Sequence, residues 1–175
     1  MIFQLMFFVG LLAAQTVSGA DPDHSGHGGH GATHHGHHAS AHGAGNRAVG
    51  QPGHPDRVAR SIVVIALDTM RYDPSEITVR PGETIRFEVK NDGKLRHEFM
   101  IGDAAEQRMH SEMMKRDPDM VHNDANTLAL EAGEGKTLVW QFGEAGELEI
   151  GCHVPGHYEA GMLARVRVIP SNNSQ

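Results

Sequence analysis

The stretch that decides the fold is residues 76–101, EITVRPGETIRFEVKNDGKLRHEFMI. From Thr84 to Lys90, apolar and polar residues alternate, the period of two that turns one side of a β-strand towards a core. Pro81-Gly82 and Asn91-Asp92-Gly93 are turn sequences on either side of this run. The stretch therefore predicts three short strands joined by turns.

The same pattern continues on both sides of this stretch. Short apolar or alternating runs, separated by turn residues, lie at 62–67, 127–130, 136–142, 147–151 and 163–169. With the three strands above they make about eight strands within residues 61–170. Many short strands at this spacing predict an all-β fold, a Greek-key β-sandwich or barrel, with Trp140 in its core.

One segment, 103–122, lacks the strand alternation and predicts a helical insert, with a helix from Ala104 to about Lys115 that ends before Pro118. It is rich in thioether and imidazole groups, which belong to Met109, His110, Met113, Met114, Met120 and His122. Such soft donors suit Cu(I), so the insert is a candidate metal site. The alternative is that the methionines only pack the insert against the sandwich.

The first 20 residues form an apolar run that ends in Ser18-Gly19-Ala20. An apolar run followed by small residues is typical of a secretory signal peptide. A membrane anchor is the alternative, but the run is shorter than the roughly 20 apolar residues of a spanning helix. We expect residues 1–20 to be removed, leaving a soluble periplasmic protein that is not inserted in the membrane.

Residues 21–60 contain almost no β-branched or aromatic residues and predict a disordered tail. The tail is rich in histidines, which are His24, His27, His30, His34, His35, His37, His38 and His42. Neutral imidazole is the commonest metal ligand, so we expect the tail to bind metal ions. A plain flexible linker is the alternative. The formal net charge of −7 argues against a nucleic-acid partner, which needs a basic surface.

The single cysteine, Cys152, begins the sequence CHVPGHYEAGM at residues 152–162. Cysteines of exported proteins usually pair in disulfides, so a lone one needs another role. The loop lies between two predicted strands, and the even spacing of Cys152, His157 and Met162 lets these side chains converge. A thiolate, imidazoles and a weak thioether are the ligands of electron-transfer copper, whereas zinc gains little from a thioether.

A second imidazole must come from elsewhere in the fold, and His97 is the candidate. It shares a strand face with Phe99 and Ile101, so we expect it to point inwards. A lone inward histidine is usually a hydrogen-bonded core residue, but beside the cysteine loop it is predicted to bind copper. Glu98 and His153 are expected to point the other way, towards solvent.

Three motifs together resemble the cupredoxin family. They are YDPSEITVRPG at 72–82, NDGKLRHEF at 91–99 and the loop at 152–162. The resemblance covers about residues 61–170, and the loop spacing is similar to that of azurin and rusticyanin rather than plastocyanin. The His-rich leader and the insert are more similar to the CopI-type periplasmic cupredoxins associated with copper tolerance.

The resemblance implies one type 1 copper centre, with His97, Cys152 and His157 as strong equatorial ligands and Met162 as the weak axial ligand. It implies a role in copper homeostasis or tolerance by binding and oxidising copper; the alternative is a dedicated electron carrier. The expected partners are copper ions and either a redox partner protein or a copper-export component. We expect a monomer, with no enzymatic activity beyond incidental oxidation of Cu(I).

Overall fold

A computed structural model describes residues 48–118 and 124–170. The predicted signal peptide, the tail histidines from His24 to His42, Met120 and His122 lie outside these residues. The described residues form ten β-strands in two five-stranded sheets, with one α-helix after the sixth strand. No helix in this part of the chain is long and apolar enough to cross a membrane.

The first sheet has the order β1-β8-β5-β2-β3. Its strands are β1 (Gly50–Pro52), β2 (Arg60–Leu67), β3 (Arg71–Asp73), β5 (Thr84–Asn91) and β8 (Gly135–Phe142). Strands β2 and β5 run parallel, while the other pairs are antiparallel. A parallel pair needs a crossover, which here passes through the second sheet.

The second sheet has the order β4-β10-β9-β6-β7. Its strands are β4 (Glu76–Val79), β6 (His97–Gly102), β7 (Thr127–Leu130), β9 (Gly146–Gly151) and β10 (Leu163–Val168). Strand β4 runs parallel to β10, and β9 lies antiparallel between β10 and β6. The pairing of β9 with β6 brings the beginning of β6 beside the end of β9.

Apolar side chains from both sheets meet in one core, as the alternation predicts. Phe87 of β5 lies against Phe99 of β6 and Phe142 of β8, with ring centroids 5.4 and 6.1 Å apart. Trp140 is also buried. The predicted β-sandwich and the core position of Trp140 are confirmed.

The predicted tail, 21–60, extends too far at its C-terminal end. Strand β1 pairs with β8, Val49 is buried, and a 3-10 turn at Pro55–Arg57 leads into β2. The sequence gives little sign of β1 because it is a three-residue edge strand containing Pro52, where a missing N–H is tolerated. Strand β3 was also not predicted, since three residues carry no clear alternation.

The helical insert is confirmed as α1 (Ala104–Arg116). Asp103 caps it by accepting hydrogen bonds from the N–H groups of Ala105 and Glu106, and Glu106 returns the interaction in a capping box. The helix packs against β6 and β9 and buries Gln107, His110 and Met114. It therefore covers the side of these two strands that faces away from the sandwich core.

Candidate metal centre

Three parts of the fold bring the predicted ligands together at one end of the sandwich. His97 begins β6, Cys152 directly follows β9, and His157 and Met162 lie in the loop before β10. Because β6 and β9 are hydrogen-bonded neighbours, His97 lies beside Cys152 although the two are 55 residues apart in sequence.

The donor atoms of His97, Cys152 and His157 all lie within 4.8 Å of one another. Sγ of Cys152 is 4.0 Å from Nδ1 of His97 and 3.4 Å from Nδ1 of His157. Metal–ligand bonds of about 2.0–2.3 Å let one ion reach three atoms at such separations. The arrangement and the chemistry of the donors therefore fit a copper ion.

Met162 is held next to Cys152 by the main chain of the loop. The N–H of Cys152 donates to the carbonyl of Met162 at 3.2 Å, and the N–H of Met162 donates to the carbonyl of His157 at 3.0 Å. The Met162 side chain is fully buried. The loop is thus folded back on itself, and all four predicted ligands lie in one region.

Burial controls the protonation of the donors. It raises the pKa of the Cys152 thiol to about 11, so the metal-free protein carries a thiol at neutral pH. Burial, with a smaller effect of His97, lowers the pKa of His157 and favours its neutral form. A metal ion must displace the thiol proton, whereas the His157 imidazole offers its lone pair directly.

The structure corrects the prediction that Glu98 and His153 face solvent. Both point away from the ligands, but they are 1% and 3% exposed because α1 covers them. Glu98 Oε2 is 2.9 Å from Nε2 of His110, and His153 Nε2 is 2.6 Å from Oε1 of Gln107. Burial is also the main reason why the pKa of His153 falls to about 4.

The insert divides its donors between two faces of α1. His110 and Met114 are buried on the face towards the sheet, whereas Met109 is 52% exposed and Met113 partly exposed. Among the described residues, three or more His, Cys, Asp and Glu donors gather only at His97, Cys152 and His157. A Cu(I) site on the insert stays a prediction.

Sequence reasoning missed two residues that contact this region. Asp68 lies 3.1 Å from Nε2 of His97, and Arg71 donates hydrogen bonds to carbonyls just before Met162. Asp68 lies in the short connection between β2 and β3 and Arg71 begins β3, where only a Tyr-Asp-Pro turn signal follows them. Nothing in the local pattern indicates that this connection reaches the ligands.

Comparisons with known proteins agree with this geometry. Residues 59–169 match the sequence profile of the copper binding proteins of the plastocyanin/azurin family. The copper-resistant cuproprotein CopI of Rubrivivax gelatinosus is 42% identical over 165 residues, covering 94% of both chains. The protein of the same name from Pseudomonas aeruginosa is 36% identical over 161 residues, covering 75% of this chain and 88% of its own.

Solved structures with the same fold include two auracyanins. Auracyanin from Roseiflexus castenholzii, reduced with dithionite, aligns with a TM-score of 0.56 at 23% identity over 65% of this chain and 99% of its own. Auracyanin B aligns with a TM-score of 0.58 at 20% identity over 70% of this chain and 97% of its own. At these identities the likeness concerns the fold.

Proposed function

Because the chain belongs to the plastocyanin/azurin family of copper binding proteins, we propose that it binds copper at His97, Cys152, His157 and Met162 and protects the cell against excess copper. Its similarity to two proteins named copper-resistant cuproprotein supports this role. The role includes one-electron oxidation of bound Cu(I) to Cu(II) in the periplasm, with the electron passed to a redox partner protein, and no further enzymatic activity.

The observation that carries the proposal is a buried thiol with two imidazole nitrogens within 4.8 Å and a buried methionine beside it. This donor set favours copper over zinc, because a thioether adds little to a zinc site. Bound copper would supply exchange of one electron between its two oxidation states. The protein's own part is to hold the donors in place and to exclude water from Cys152, which has no exposed surface.

We also propose that the His-rich tail and the insert capture copper for the centre. The exposed Met109 and the partly exposed Met113 lie one helical turn apart on α1, a spacing that lets both sulfurs face one ion. His110 is engaged with Glu98 and belongs to the packing of the helix. Copper capture by the insert therefore depends on the side chains on the solvent-facing side of α1.

A second candidate function is electron transfer between redox proteins. His157 supports it, because it is partly exposed while the other three proposed ligands have no exposed surface. An exposed ligand edge is where a redox partner could approach the centre. This function requires a partner protein but no copper-capturing tail.

The test is a copper challenge of a strain that lacks the gene, complemented with the wild type, Cys152→Ser or Arg167→Gln, which alters an exposed residue on β10 outside the proposed copper-binding groups. We expect Cys152→Ser to leave the strain copper-sensitive, whereas the wild type and Arg167→Gln restore growth. Immunoblots establish equal periplasmic amounts of the three proteins. Unchanged copper sensitivity together with impaired respiration in the deleted strain would favour the electron carrier instead.

A further inference from the structure

We propose that the turn at residues 68–70, between β2 and β3, and the first residue of β3, Arg71, form a positioning element of the copper centre: Asp68 orients His97, and Arg71 holds the main chain just before Met162. This inference rests on the proposed copper binding. It concerns two charged residues three positions apart: Asp68 contacts the ligand His97, and Arg71 contacts the residues just before the ligand Met162.

Asp68 is fixed by the turn that precedes His97. Its Oδ2 accepts a hydrogen bond from the N–H of Lys94 at 2.8 Å, and its Oδ1 accepts one from the N–H of Leu95 at 3.3 Å. The same Oδ1 lies 3.1 Å from Nε2 of His97. Main-chain groups thus hold the carboxylate in place against an imidazole that has no exposed surface.

The turn at residues 91–95, which precedes His97, leaves space for the Asp68 carboxylate. A Cβ at Gly93 would lie 2.0 Å from Oδ1 of Asp68, so only glycine allows this approach. Asn91 braces the turn, because its side chain accepts from the N–H of Gly93 at 2.9 Å and donates to the carbonyl of Leu95 at 2.7 Å. The turn therefore favours a side chain at position 68 that accepts hydrogen bonds.

The consequence for His97 is a defined tautomer. With Nε2–H donating to Asp68, the lone pair lies on Nδ1, the nitrogen that faces Sγ of Cys152 at 4.0 Å. A carboxylate partner also makes a ligating imidazole a stronger electron donor. Stronger donation favours Cu(II) over Cu(I), so Asp68 should lower the reduction potential of the centre.

Arg71 acts on the other side of the site. Its Nη1 donates to the carbonyls of Met70, Ala160 and Gly161 at 2.7, 3.1 and 3.2 Å. Gly161 has a φ of +92°, and a Cβ there would lie 2.9 Å from Arg71 Nη1. The guanidinium therefore packs closely against the residue directly before Met162 and joins the loop to the β2–β3 turn.

Met70, which lies between Asp68 and Arg71 in the chain, has a strained backbone conformation. Met70 has a φ of 58° and is the one non-glycine residue with positive φ in the described part of the chain. A left-handed conformation at a methionine persists only where its surroundings impose it. Here the surroundings are the Asp68 and Arg71 contacts on either side, together with packing of Met70 against the core.

The first test compares Asp68→Asn with Asp92→Asn. Both changes remove one negative charge near the same turn, but Asp92 is exposed and contacts Lys90 at 3.0 Å rather than His97. In the metal-free protein, ¹⁵N NMR of the His97 ring should show a mixed tautomer population only for Asp68→Asn. In the copper-loaded protein, the same variant should raise the reduction potential and weaken Cu(II) binding by about 10–100-fold.

The second test compares Arg71→Gln with Arg167→Gln, an exposed arginine on β10. Hydrogen exchange of the Met162 amide, which donates to His157 in the metal-free fold, should accelerate for Arg71→Gln and not for Arg167→Gln. Copper release to a chelator should accelerate in parallel. Unchanged exchange and release in Arg71→Gln would overturn the role of Arg71.

The two proposals can fail separately. If the wild-type protein takes up no copper, the proposed function falls, whatever the NMR of the metal-free variants shows. If the wild type binds copper but Asp68→Asn has the wild-type tautomer and potential, or changes no more than Asp92→Asn, then only the positioning role of Asp68 is wrong.

Discussion

The backbone N–H of Glu98 donates a hydrogen bond to Sγ of Cys152 at 3.3 Å. Glu98 directly follows the proposed ligand His97, so this contact ties the backbone beside His97 to the sulfur of Cys152 across the neighbouring strands β6 and β9. It lowers the pKa of the thiol, but burial has the larger opposite effect and the pKa remains raised. The sulfur is thus held in a dry position that suits a bound metal ion better than a free thiolate.

Cys152→Ser should abolish the colour of the copper-loaded protein. We expect the wild type to develop an intense visible thiolate-to-copper band on titration with Cu(II), because Cys152 supplies the only sulfur that can become a thiolate. Titration of Met109→Leu, which alters an exposed sulfur on α1, should give the wild-type band. A band of undiminished intensity in Cys152→Ser would show that the ligand set is wrong.

Met162→Leu should keep the visible band and raise the reduction potential. Removal of a weak thioether ligand leaves the thiolate and imidazoles in place but withdraws electron donation that favours Cu(II). Potentiometric titration of Met162→Leu, Met109→Leu and the wild type measures the effect, and only Met162→Leu should change. A colourless Met162→Leu protein would contradict the axial position.

The metal-free protein should lose stability at alkaline pH through Cys152. Its thiol pKa is raised from 9.0 to about 11, so the contribution is fully present below pH 9 and is lost as the pH rises through 11. Two pKa units correspond to about 2–3 kcal/mol in the free energy of unfolding. Urea unfolding from pH 8 to pH 11 measures it.

The matched protein for this measurement is Cys152→Ser. Tyr72 and Tyr158 also have raised pKa values because of their burial, so part of the alkaline loss is common to both proteins. The difference between the two unfolding free energies measures the thiol together with its effect on Tyr72, whose pKa Cys152 also raises. Equal slopes against pH in the two proteins would mean that folding does not raise the pKa of the Cys152 thiol.

His110→Ala should destabilise the metal-free protein by about 1.5–3 kcal/mol, because it removes a buried hydrogen bond to the Glu98 carboxylate, which keeps its contact with the N–H of His153. The two side chains are 2% and 1% exposed and lie 2.9 Å apart. Lys115→Ala removes an exposed ion pair with Glu112 on the same helix and should change the unfolding free energy much less, because solvent screens exposed charges. Urea unfolding measures both changes.

A double-mutant cycle with Glu98→Gln separates the contact between His110 and the Glu98 carboxylate from the packing of the helix. The effect of His110→Ala should be smaller when residue 98 is already neutral. Equal effects of His110→Ala in the two backgrounds would mean that the histidine acts only by filling space under α1.

Truncation should show where the tail ends and the domain begins. Removing residues 21–47 should leave the visible band and the unfolding free energy unchanged while lowering the number of copper ions bound. Removing 21–60 also deletes β1 and the buried Val49, so it should destabilise the domain. Metal analysis and urea unfolding report the two effects. Unchanged copper content after the shorter deletion would make the tail a linker.

Local patterns in the sequence predicted most of the fold. Alternation over 84–90 predicted a strand, and the loss of alternation over 103–122, with Pro118 near its end, predicted the helix, because such local patterns can be recognised within a few residues. The short strands β1 and β3 could not be found in this way. Each has three residues and depends on its hydrogen-bonding partner in the first sheet rather than on a pattern of its own.

The sequence alone determined the proposed ligand set, because Cys152, His157 and Met162 share one loop and His97 lies on an inward strand position. Only the tertiary structure decided what surrounds it: α1 buries Glu98, and the β2–β3 turn places Asp68 against His97. The reason is physical. Ligand identity depends on side-chain chemistry and local spacing, whereas the solvation and orientation of each ligand depend on segments that reach it only when the chain folds.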